Sequence, residues 1–216
     1  MNGAVLYNKD ECPFCWRVRM ALQRAGIDAE YRAHDDARWA DVWPRLTLHR
    51  TVPVLTVDDL VLTDSRVILE FIDESHGYLL PRTAADRARV REMVCFADAQ
   101  LGPIARALVF ECRDKAPHER DPVVIDTAIG DWQRAMQPAA RLLTAQGWFG
   151  NGCSLCDYAA VTRFALAGAY GMPLDRLPPT LSAWLGNVMQ RREVIETAPV
   201  VVRQWWDHQS QLEADS

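Results

Sequence analysis

Short apolar runs in the first third of the chain predict β-strands, and longer three- and four-residue spacings predict helices. Residues 4–7 and 29–31 favour strands. Between them, apolar positions recur from 16 to 25 in a helical pattern. Residues 51–57 and 60–62 are two β-branched runs across a tight turn, which predicts a hairpin.

A second and a third helix are predicted on either side of this hairpin. Residues 35–48 carry apolar side chains at a roughly helical spacing that Pro44 interrupts, so we expect a short, irregular helix there. Asp64 or Ser65 is suited to cap a third helix. Residues 1–76 therefore follow the order β-α-β-α-β-β-α, which predicts an α/β domain.

The rest of the chain is predicted to be helical. Residues 77–83 break the earlier pattern and predict a linker. Residues 84–216 show no strand-like alternation and predict an all-α domain. The predicted helices and their interruptions are 84–112 with a bend at Gly102-Pro103, 121–146 with a kink at Pro138, 158–169, 178–189, and 193–206 with a break near Pro199, followed by a frayed tail over 209–216.

Composition and charge exclude several classes of function. The chain has 216 residues, of which 49% are apolar and 25% are charged, so one or two globular domains are expected. The net charge of −5 disfavours binding to nucleic acid or to an anionic membrane. The N-terminus is not signal-like and no apolar run approaches a membrane span, so we expect a cytoplasmic protein.

The candidate chemistry lies in the motif Cys12-Pro13-Phe14-Cys15, where the first strand leads into the first helix. Backbone N–H groups and the macrodipole at a helix N-terminus favour an anion, so a cysteine there ionises more readily than a free one. Pro13 suits the first turn because its missing N–H would have no partner in the helix. We predict that Cys12 is a nucleophile and that Cys15 is an optional resolving thiol.

A zinc site and a buried, inert pair are the alternatives for these cysteines. Structural zinc pairs usually lie closer together than this motif and the second Cys-x-x-Cys pair, so we expect no metal. In a reducing compartment, six cysteines do not indicate a disulfide framework. The remaining cysteines are therefore predicted to be small buried apolar residues, namely Cys95, Cys112, Cys153 and Cys156.

Four motifs in this order resemble the glutathione transferase superfamily, in which a thioredoxin-like α/β domain is joined to an all-helical domain. They are the Cys-x-x-Cys motif, the Val52-Pro53 pair, the Asp64-Ser65 pair and the Ser154-x-x-Asp157 capping box. The resemblance covers nearly the whole chain. It implies an N-terminal thioredoxin-like domain over residues 1–76 and a C-terminal helical bundle domain over residues 84–216.

The resemblance also implies a glutathione site in the first domain. Pro53 would be a cis-proline, and the backbone of Val52 would pair with the cysteinyl part of glutathione as an added strand does. Ser65 and its helix N-terminus would hold the γ-glutamyl carboxylate, and Asp64 would face the γ-glutamyl ammonium. Phe14, next to the nucleophile, is assigned to the same site.

A basic residue near the predicted second helix would meet the glycyl carboxylate in this family. Arg38, Arg45 and Arg50 are all eligible, and the sequence does not choose among them. We take Arg38 as the candidate for binding the glycyl carboxylate. Glutathione is the expected cosubstrate.

The catalytic position indicates the class of enzyme. Most conjugating transferases use Tyr or Ser there, whereas Cys12 is similar to omega-type and glutaredoxin-like members, which form a mixed disulfide with glutathione. The resemblance therefore implies a glutathione-dependent thiol transferase or disulfide reductase.

The tail from Trp16 to Leu22 also resembles zeta-class maleylacetoacetate isomerases. In the Ser-Ser-Cys motif of that class, however, Cys12 stands in place of the first Ser and Phe14 in place of the Cys. We expect Trp16 and Val18 to be core residues.

Two alternatives stay open. The first is a transferase that conjugates or dehalogenates small electrophiles, and the second is a partner-binding protein without enzymatic activity. Aromatic residues that would line an apolar site are more often core residues; they are Trp43, Phe110, Trp132 and Trp205. By analogy with the family, we expect a homodimer in which the α/β domain of one subunit lies against the helices of the other.

Overall fold

The computed structural model of this chain describes residues 3–77 and 79–214, with side chains described through residue 211. Residues 1, 2, 78, 215 and 216, which the sequence assigns to the first domain, the linker and the C-terminal tail, lie outside the described part. The chain divides into two compact units, residues 1–80 and 81–216. The division falls within the segment that the sequence predicts as a linker.

A mixed sheet of four strands, counted over the described residues, lies at the centre of the first unit. The strands are β1 (Ala4–Asn8), β2 (Ala29–Ala33), β3 (Val54–Val57) and β4 (Leu60–Leu62). They lie in the order β2-β1-β3-β4, with β1 and β2 parallel and the other neighbours antiparallel. The thioredoxin-like sheet and its hairpin are therefore confirmed.

Two helices complete this unit, α1 (Pro13–Arg24) and α2 (Ser65–His76). Trp16 and Val18 on α1 are fully buried, which confirms them as core residues. The connection between the parallel strands β1 and β2 runs through α1, so the loop before α1 lies at the carboxyl end of β1. In α/β sheets, ligands bind outside the carboxyl ends of the strands.

The predicted irregular helix over residues 35–48 is wrong. The segment contains one 3₁₀ turn, Trp43–Arg45, and is otherwise turn and loop. Pro44 lies inside this turn, and a proline has no N–H with which to continue a helical hydrogen-bond ladder. The indole N–H of Trp43 donates instead to the carbonyl oxygen of His34 at 2.8 Å, which ties the segment to the end of β2.

The second unit is helical in its described part, as predicted. Its helices are α3 (Ala84–Phe96), α4 (Gly102–Arg113), α5 (Pro122–Ala140), α6 (Leu155–Ala169), α7 (Pro179–Met189), α8 (Arg192–Thr197) and α9 (Val200–Ala214). Almost all of α6 is buried, so this helix forms the core of the unit. Edge-to-face aromatic contacts with ring centroids 4.8 to 5.1 Å apart surround it; they join Trp132, Phe149, Phe164 and Trp184.

The long helix predicted over residues 84–112 is divided by a π-helical turn, Ala97–Leu101. The turn comes directly before Gly102 and Pro103, and a π-helical turn is one way in which a helix adjusts to a proline that lacks the N–H for a hydrogen bond.

The run Ala84–Arg113 is long and apolar enough to cross a membrane by length and composition, so the expectation that no segment approaches a membrane span is wrong by that measure. In the structure, α3 and α4 pack against α6.

The predicted end of the helix that begins near residue 121 is also wrong. α5 ends at Ala140 rather than at residue 146. Pro138 removes a hydrogen-bond donor from the last turn, so the helix has little support beyond it. The chain then turns through Thr144, whose N–H donates to the carbonyl of Trp148 at 2.7 Å.

The last predicted helix is broken at the predicted place. α8 ends at Thr197 and α9 begins at Val200, on either side of Pro199. The tail differs from the prediction, because α9 continues through residues 209–214. No proline or glycine interrupts this stretch, so the helical hydrogen bonding continues.

The predicted capping box at the start of α6 is confirmed. The carboxylate of Asp157 is fully buried and accepts the N–H of Ser154 at 2.9 Å. Its other oxygen accepts the N–H of Phe149 at 3.2 Å and the indole N–H of Trp184 at 2.9 Å. Burial raises the pKa of Asp157, although these donors favour the ionised form. The capping box therefore joins α6 to α7 and to the preceding loop.

The prediction that the four cysteines of the helical region are buried is correct for only one of them. Cys156 is fully buried in α6, and burial followed by the charge of Asp157 raises its pKa well above the ordinary value. Cys95 is exposed, and Cys112 and Cys153 are partly exposed. Cysteine is small enough for either face of a helix, so its identity alone does not predict its burial.

Candidate active site

The loop between β1 and α1 places Cys12 at the N-terminus of α1. Cys12 is the N-cap residue, with an extended backbone at φ −91° and ψ 117°, and Pro13 is the first helical residue. The side chain of Cys12 is partly exposed. The first N–H groups of α1 and the positive end of its macrodipole therefore lie next to a thiol that solvent reaches.

Val52 and Pro53 lie beside this thiol. The Val52-Pro53 peptide bond is cis, as the resemblance implies. The Sγ of Cys12 lies 4.0 Å from the carbonyl oxygen of Val52. Because β3 begins directly after Pro53, the backbone of Val52 stands at the end of the sheet rather than inside it. The thiol and this backbone segment form one local site.

Cys15 has a different environment from Cys12. It is fully buried, and its sulfur accepts the N–H of Lys9 at 3.4 Å. Burial raises the pKa of Cys15 well above its ordinary value, and the hydrogen bond to Cys12 and the charge there raise it further. A thiol that keeps its proton beside a second sulfur donates to that sulfur and favours the thiolate there.

Arg19 holds the loop that precedes α1. Its buried guanidinium donates to Oδ1 of Asn8 at 3.0 Å and to the carbonyl oxygens of Lys9 and Asp10 at 3.2 and 2.9 Å. These bonds tie the end of β1 and the start of the loop to α1. The sequence does not assign Arg19 to the site, because a charged residue in a helix usually points to solvent.

Asp64 caps α2. Its Oδ1 accepts the N–H of Arg66 at 2.8 Å, and its Oδ2 lies 3.0 Å from Nη2 of the Arg66 guanidinium. The hydrogen bond from the Arg66 side chain lowers the pKa of Asp64. The start of α2 therefore has an ionised, partly exposed carboxylate, which is the group that attracts an ammonium ion.

Ser65, the first residue of α2, is buried against Arg17 from α1. The Nε and Nη2 atoms of Arg17 donate to Oγ of Ser65 at 3.2 and 2.7 Å. The Arg17 residue is 1% exposed, and its guanidinium lies 4.9 Å from the ring centroid of Phe14. These contacts bring together Phe14 and Ser65, which the sequence assigns to one site. Arg17 itself was missed, because the apolar pattern of α1 marks only its neighbours.

The three candidate arginines for a terminal carboxylate lie elsewhere in the first unit. The exposed guanidinium of Arg38 forms a bidentate pair with Asp36, with a shortest distance of 2.6 Å. Arg45 lies in the 3₁₀ turn, and Arg50 has a left-handed backbone with φ 49°. Among the contacts described over residues 3–77, none joins these three arginines to Cys12 or Ser65.

The first unit thus places a partly exposed thiol at the N-terminus of α1 and, at the N-terminus of α2, the Ser65 hydroxyl beside a buried guanidinium. An extended ligand that carries a sulfur atom and a carboxylate matches these two chemistries. Among the side chains described over residues 3–77 and 79–211, no three His, Cys, Asp or Glu are grouped so that they would hold a metal ion.

Comparison with known proteins agrees with the fold described above. Residues 6–82 match the family described as glutathione S-transferase, N-terminal domain. The chain is 29% identical over 110 residues to a maleylacetoacetate isomerase of Dictyostelium discoideum, which covers 48% of this chain and 50% of that protein. A crystal structure of a glutathione transferase from Pseudomonas putida, with one glutathione disulfide bound per subunit, matches with a TM-score of 0.80 at 19% identity, covering 92% of this chain and 91% of that one.

A longer match at higher identity decides the family. Glutathione S-transferase U6 of Arabidopsis thaliana is 32% identical over 199 residues, which cover 87% of this chain and 85% of that protein. The match therefore includes both units of the chain and not only the thioredoxin-like one. With the fold in agreement, this chain belongs to the glutathione S-transferase family.

Proposed function

We propose that this protein is a glutathione-dependent thiol transferase, or disulfide reductase, with Cys12 as the nucleophile. The observation that carries the proposal is the placement of Cys12, a partly exposed thiol at the N-terminus of α1 beside Val52 and the buried Cys15. The helix N-terminus and the neighbouring thiol both favour the thiolate, which is the reactive form. A cysteine at this place captures a sulfur atom, whereas the Tyr or Ser of conjugating transferases only holds one.

Glutathione is the proposed cosubstrate. The transferase from Pseudomonas putida has glutathione disulfide bound, and its fold agrees with that of this chain. We propose that the backbone of Val52, next to the cis-proline Pro53, pairs with the cysteinyl part of glutathione. Ser65 and the start of α2 would hold the γ-glutamyl carboxylate, and Asp64 would face the ammonium group. For the glycyl carboxylate, Arg38 is still the predicted binding residue.

The proposed reaction consists of two thiol-disulfide exchanges. The Cys12 thiolate attacks the glutathione sulfur of a mixed disulfide, so that an S–S bond forms between Cys12 and glutathione and the substrate leaves as a thiolate. The thiolate of a second glutathione then attacks the glutathione sulfur attached to Cys12. Glutathione disulfide leaves and the Cys12 thiolate returns, so the substrate is reduced to a thiol and glutathione is oxidised.

We propose a monothiol mechanism, in which Cys15 does not resolve the intermediate. A resolving thiol has to reach the mixed disulfide in its thiolate form. Cys15 is fully buried, and its pKa is raised well above the ordinary value. Glutathione in solution has no such restriction and is the proposed resolving nucleophile.

The test is the glutathione-dependent reduction of a small mixed disulfide by the wild type and three single variants. Cys12→Ser is expected to lose the activity, because a hydroxyl does not form the mixed disulfide. Cys15→Ser is expected to keep most of it. Cys95→Ser, which changes an exposed thiol outside the motif, is the matched control and is expected to keep all of it. Unchanged activity of Cys12→Ser would refute the proposal.

Conjugation of small electrophiles is the second candidate, and the similarity to glutathione S-transferase U6 of Arabidopsis thaliana favours it. In that reaction, the glutathione thiolate itself attacks the electrophile and the enzyme only stabilises the thiolate. Cys12→Ser would then turn over an aryl halide faster than the wild type, because a hydroxyl holds the thiolate without capturing it. That increase, together with a wild type that reduces no mixed disulfide, would favour conjugation.

A homodimer is the proposed assembly. β4 and the first turns of α2 form an open groove of about 680 Å³ whose apolar walls include Leu60, Leu62, Val67 and Phe71. Leu60 and Val67 are 41% and 51% exposed, and contiguous exposed apolar surface is typical of protein contacts. We propose that the helical unit of a second copy covers this groove, as the family resemblance implies.

A further inference from the structure

We propose that Arg19 is a positioning residue that holds the turn before Cys12 and thereby sets the reactivity of the Cys12 thiol. This inference rests on the proposed function, because it assigns to that reaction a residue that lies outside the glutathione-binding motifs. Arg19 lies in the second turn of α1 and is 7% exposed. The hydrogen bonds of its guanidinium and the charge that it carries both act on the segment that leads into Cys12.

The residues before Cys12 form a tight turn. The N–H of Cys12 donates to the carbonyl oxygen of Lys9 at 3.3 Å, which closes a four-residue turn over residues 9–12. This bond is longer than the usual N–H···O distance of about 2.9–3.0 Å, so it holds the turn only weakly. The N–H of Lys9 donates to the sulfur of Cys15 at 3.4 Å. Both cysteines of the motif therefore contact the backbone of Lys9.

The guanidinium of Arg19 spans this turn. Its Nη1 donates to the carbonyl oxygen of Lys9 at 3.2 Å, and its Nη2 donates to that of Asp10 at 2.9 Å. Nη1 also donates to Oδ1 of Asn8, the last residue of β1, at 3.0 Å. The side chain reaches these atoms because long side chains in a helix point back towards its N-terminus. One rigid, buried fork thus connects the end of β1, the turn and α1.

The position of the turn matters for a disulfide that approaches Cys12. Cys12 is the last residue of the turn and the N-cap of α1, and its sulfur lies 4.0 Å from the carbonyl oxygen of Val52. Thiol-disulfide exchange depends on which sulfur is attacked and on access to it. A turn that loses its fork leaves Cys12 without a fixed place beside Val52, so productive attack becomes less frequent.

The charge of the guanidinium acts on the same thiol. Burial lowers the pKa of Arg19, and negative charge on neighbouring groups raises it. These titratable groups lie on three elements; they are Asp10 in the turn, Tyr31 on β2, and Cys12 and Cys15 at the start of α1. A guanidinium stays protonated at all ordinary pH values. The attraction is mutual, so this charge favours the thiolate of Cys12 over its thiol.

The experiment measures two properties of the wild type, Arg19→Lys, Arg19→Gln and one control variant. The first is the rate at which iodoacetamide alkylates Cys12 as a function of pH, followed by peptide mapping with mass spectrometry. The exposed Cys95 of the same protein gives a reference profile for the Arg19 variants. The second is the glutathione-dependent reduction of a small mixed disulfide. Thermal melting followed by circular dichroism checks that each variant is folded.

We expect the midpoint of the Cys12 profile to rise by about one pH unit in Arg19→Gln, because the thiolate loses a positive neighbour. Below both midpoints, that rise lowers the alkylation rate about tenfold, and above them the rates converge. The Cys95 profile should not move. The charges of Lys9, Asp10 and Glu11 are the same in every variant, so they do not affect the comparison.

Arg19→Lys separates the fork from the charge. Lysine keeps a positive charge but does not span two carbonyl oxygens as the planar fork does. We therefore expect a Cys12 midpoint close to that of the wild type, together with a reduction of the mixed disulfide that is roughly threefold to tenfold slower at every pH. Arg19→Gln should be slower still. Arg19→Lys is the decisive variant if Arg19→Gln does not fold.

Arg163→Gln is the matched control, because Arg163 is a buried arginine that pairs with Asp98 within the helical unit. It should keep the wild-type Cys12 midpoint and reduction rate, and a loss as large as that of Arg19→Gln would overturn the inference. Reduction at the wild-type rate by Arg19→Lys or Arg19→Gln would also overturn it, while leaving the proposed function intact. A wild type that reduces no mixed disulfide would overturn the proposed function, and the inference with it.

Discussion

Cys12 and Cys15 share one motif, but their surroundings give them different chemistry. Cys12 is the partly exposed N-cap of α1, whereas Cys15 is fully buried one turn into the helix. Reactivity of a cysteine follows its thiolate fraction and its access to reagents. Burial raises the pKa of Cys15, which lowers its thiolate fraction. Burial also keeps reagents away from its sulfur. At the scale of single residues, the motif therefore contains one sulfur that solvent reaches and one that it does not.

This difference predicts the pattern of alkylation by iodoacetamide. In the native protein, Cys12 and the exposed Cys95 should be modified, whereas Cys15 and Cys156 should be protected, because both are buried and have raised pKa values. Peptide mapping by mass spectrometry measures the extent at each site. Protein unfolded in urea is the control, in which all four should react. Modification of Cys15 as fast as Cys12 in the native protein would contradict the prediction.

Buried arginines are the second feature at this scale. Arg17 and Arg19 are 1% and 7% exposed, although they belong to the residue type that is most often assigned to the surface. Each is held by several acceptors or by an aromatic ring, as buried charges require. Their positions in α1 allow one to reach the start of α2 and the other to reach the loop before Cys12.

Close packing between helices is the main feature at the scale of elements. α6 is buried along nearly its whole length, and Gly168 near its end allows α9 to approach. A Cβ at this position would lie 2.6 Å from Cζ2 of Trp205 and 2.8 Å from Cδ1 of Leu174. Contacts this short would force the indole of Trp205 or the side chain of Leu174 to shift. The glycine therefore serves the contact between α6 and α9.

Gly168→Ala is expected to lower the free energy of unfolding by ~1–3 kcal/mol, because the added methyl group overpacks this contact. Urea unfolding followed by circular dichroism measures the change. Gly186→Ala in α7 is the matched control, since a Cβ there meets nothing within 4 Å. That variant should gain about 0.5–1 kcal/mol from the better helix propensity of alanine. A Gly168→Ala protein at least as stable as the wild type would show that the contact is not tight.

At the scale of the whole molecule, the proposed dimer gives the last prediction. Light scattering should yield a molar mass of about twice 24.4 kDa at micromolar concentration. Val67→Asp should lower it towards that of one chain, because it places a charge in the apolar groove beside β4. Val123→Asp, at a valine of α5 that is 69% exposed, is the control and should not change the mass. A wild-type mass of one chain would contradict the dimer.

The parts of the fold that local patterns control were predicted from the sequence. Strand alternation, the hairpin and the capping box of Ser154 and Asp157 depend on neighbours within a few residues. The pattern failed over residues 35–48, where apolar spacing suggested a helix but Pro44 prevented more than one turn. It failed again at the end of α5. The sequence placed that end at residue 146, before Gly147, whereas the helix ends at Ala140, two residues after Pro138.

The candidate site was predictable only in part, for a physical reason. Cys12 and the Val52-Pro53 pair carry signals in their own chemistry, namely a thiol at a helix start and a proline before a strand. The contact between Arg17 and Ser65 joins residues on two helices that are far apart in sequence, so no local pattern reports it. The same holds for the loop contacts of Arg19.

By itself, the sequence determined the two-unit architecture, the order of the strands along the chain and the position of Cys12 at a helix start, because periodicity and helix-end chemistry act over short distances. The tertiary structure decided which sulfur is reachable, which arginines are buried and which cysteines of the helical unit are exposed. Burial is a property of the packed chain, in which segments from different parts of the sequence exclude water together. For that reason the candidate thiol was visible in the sequence, while the buried arginines around it were not.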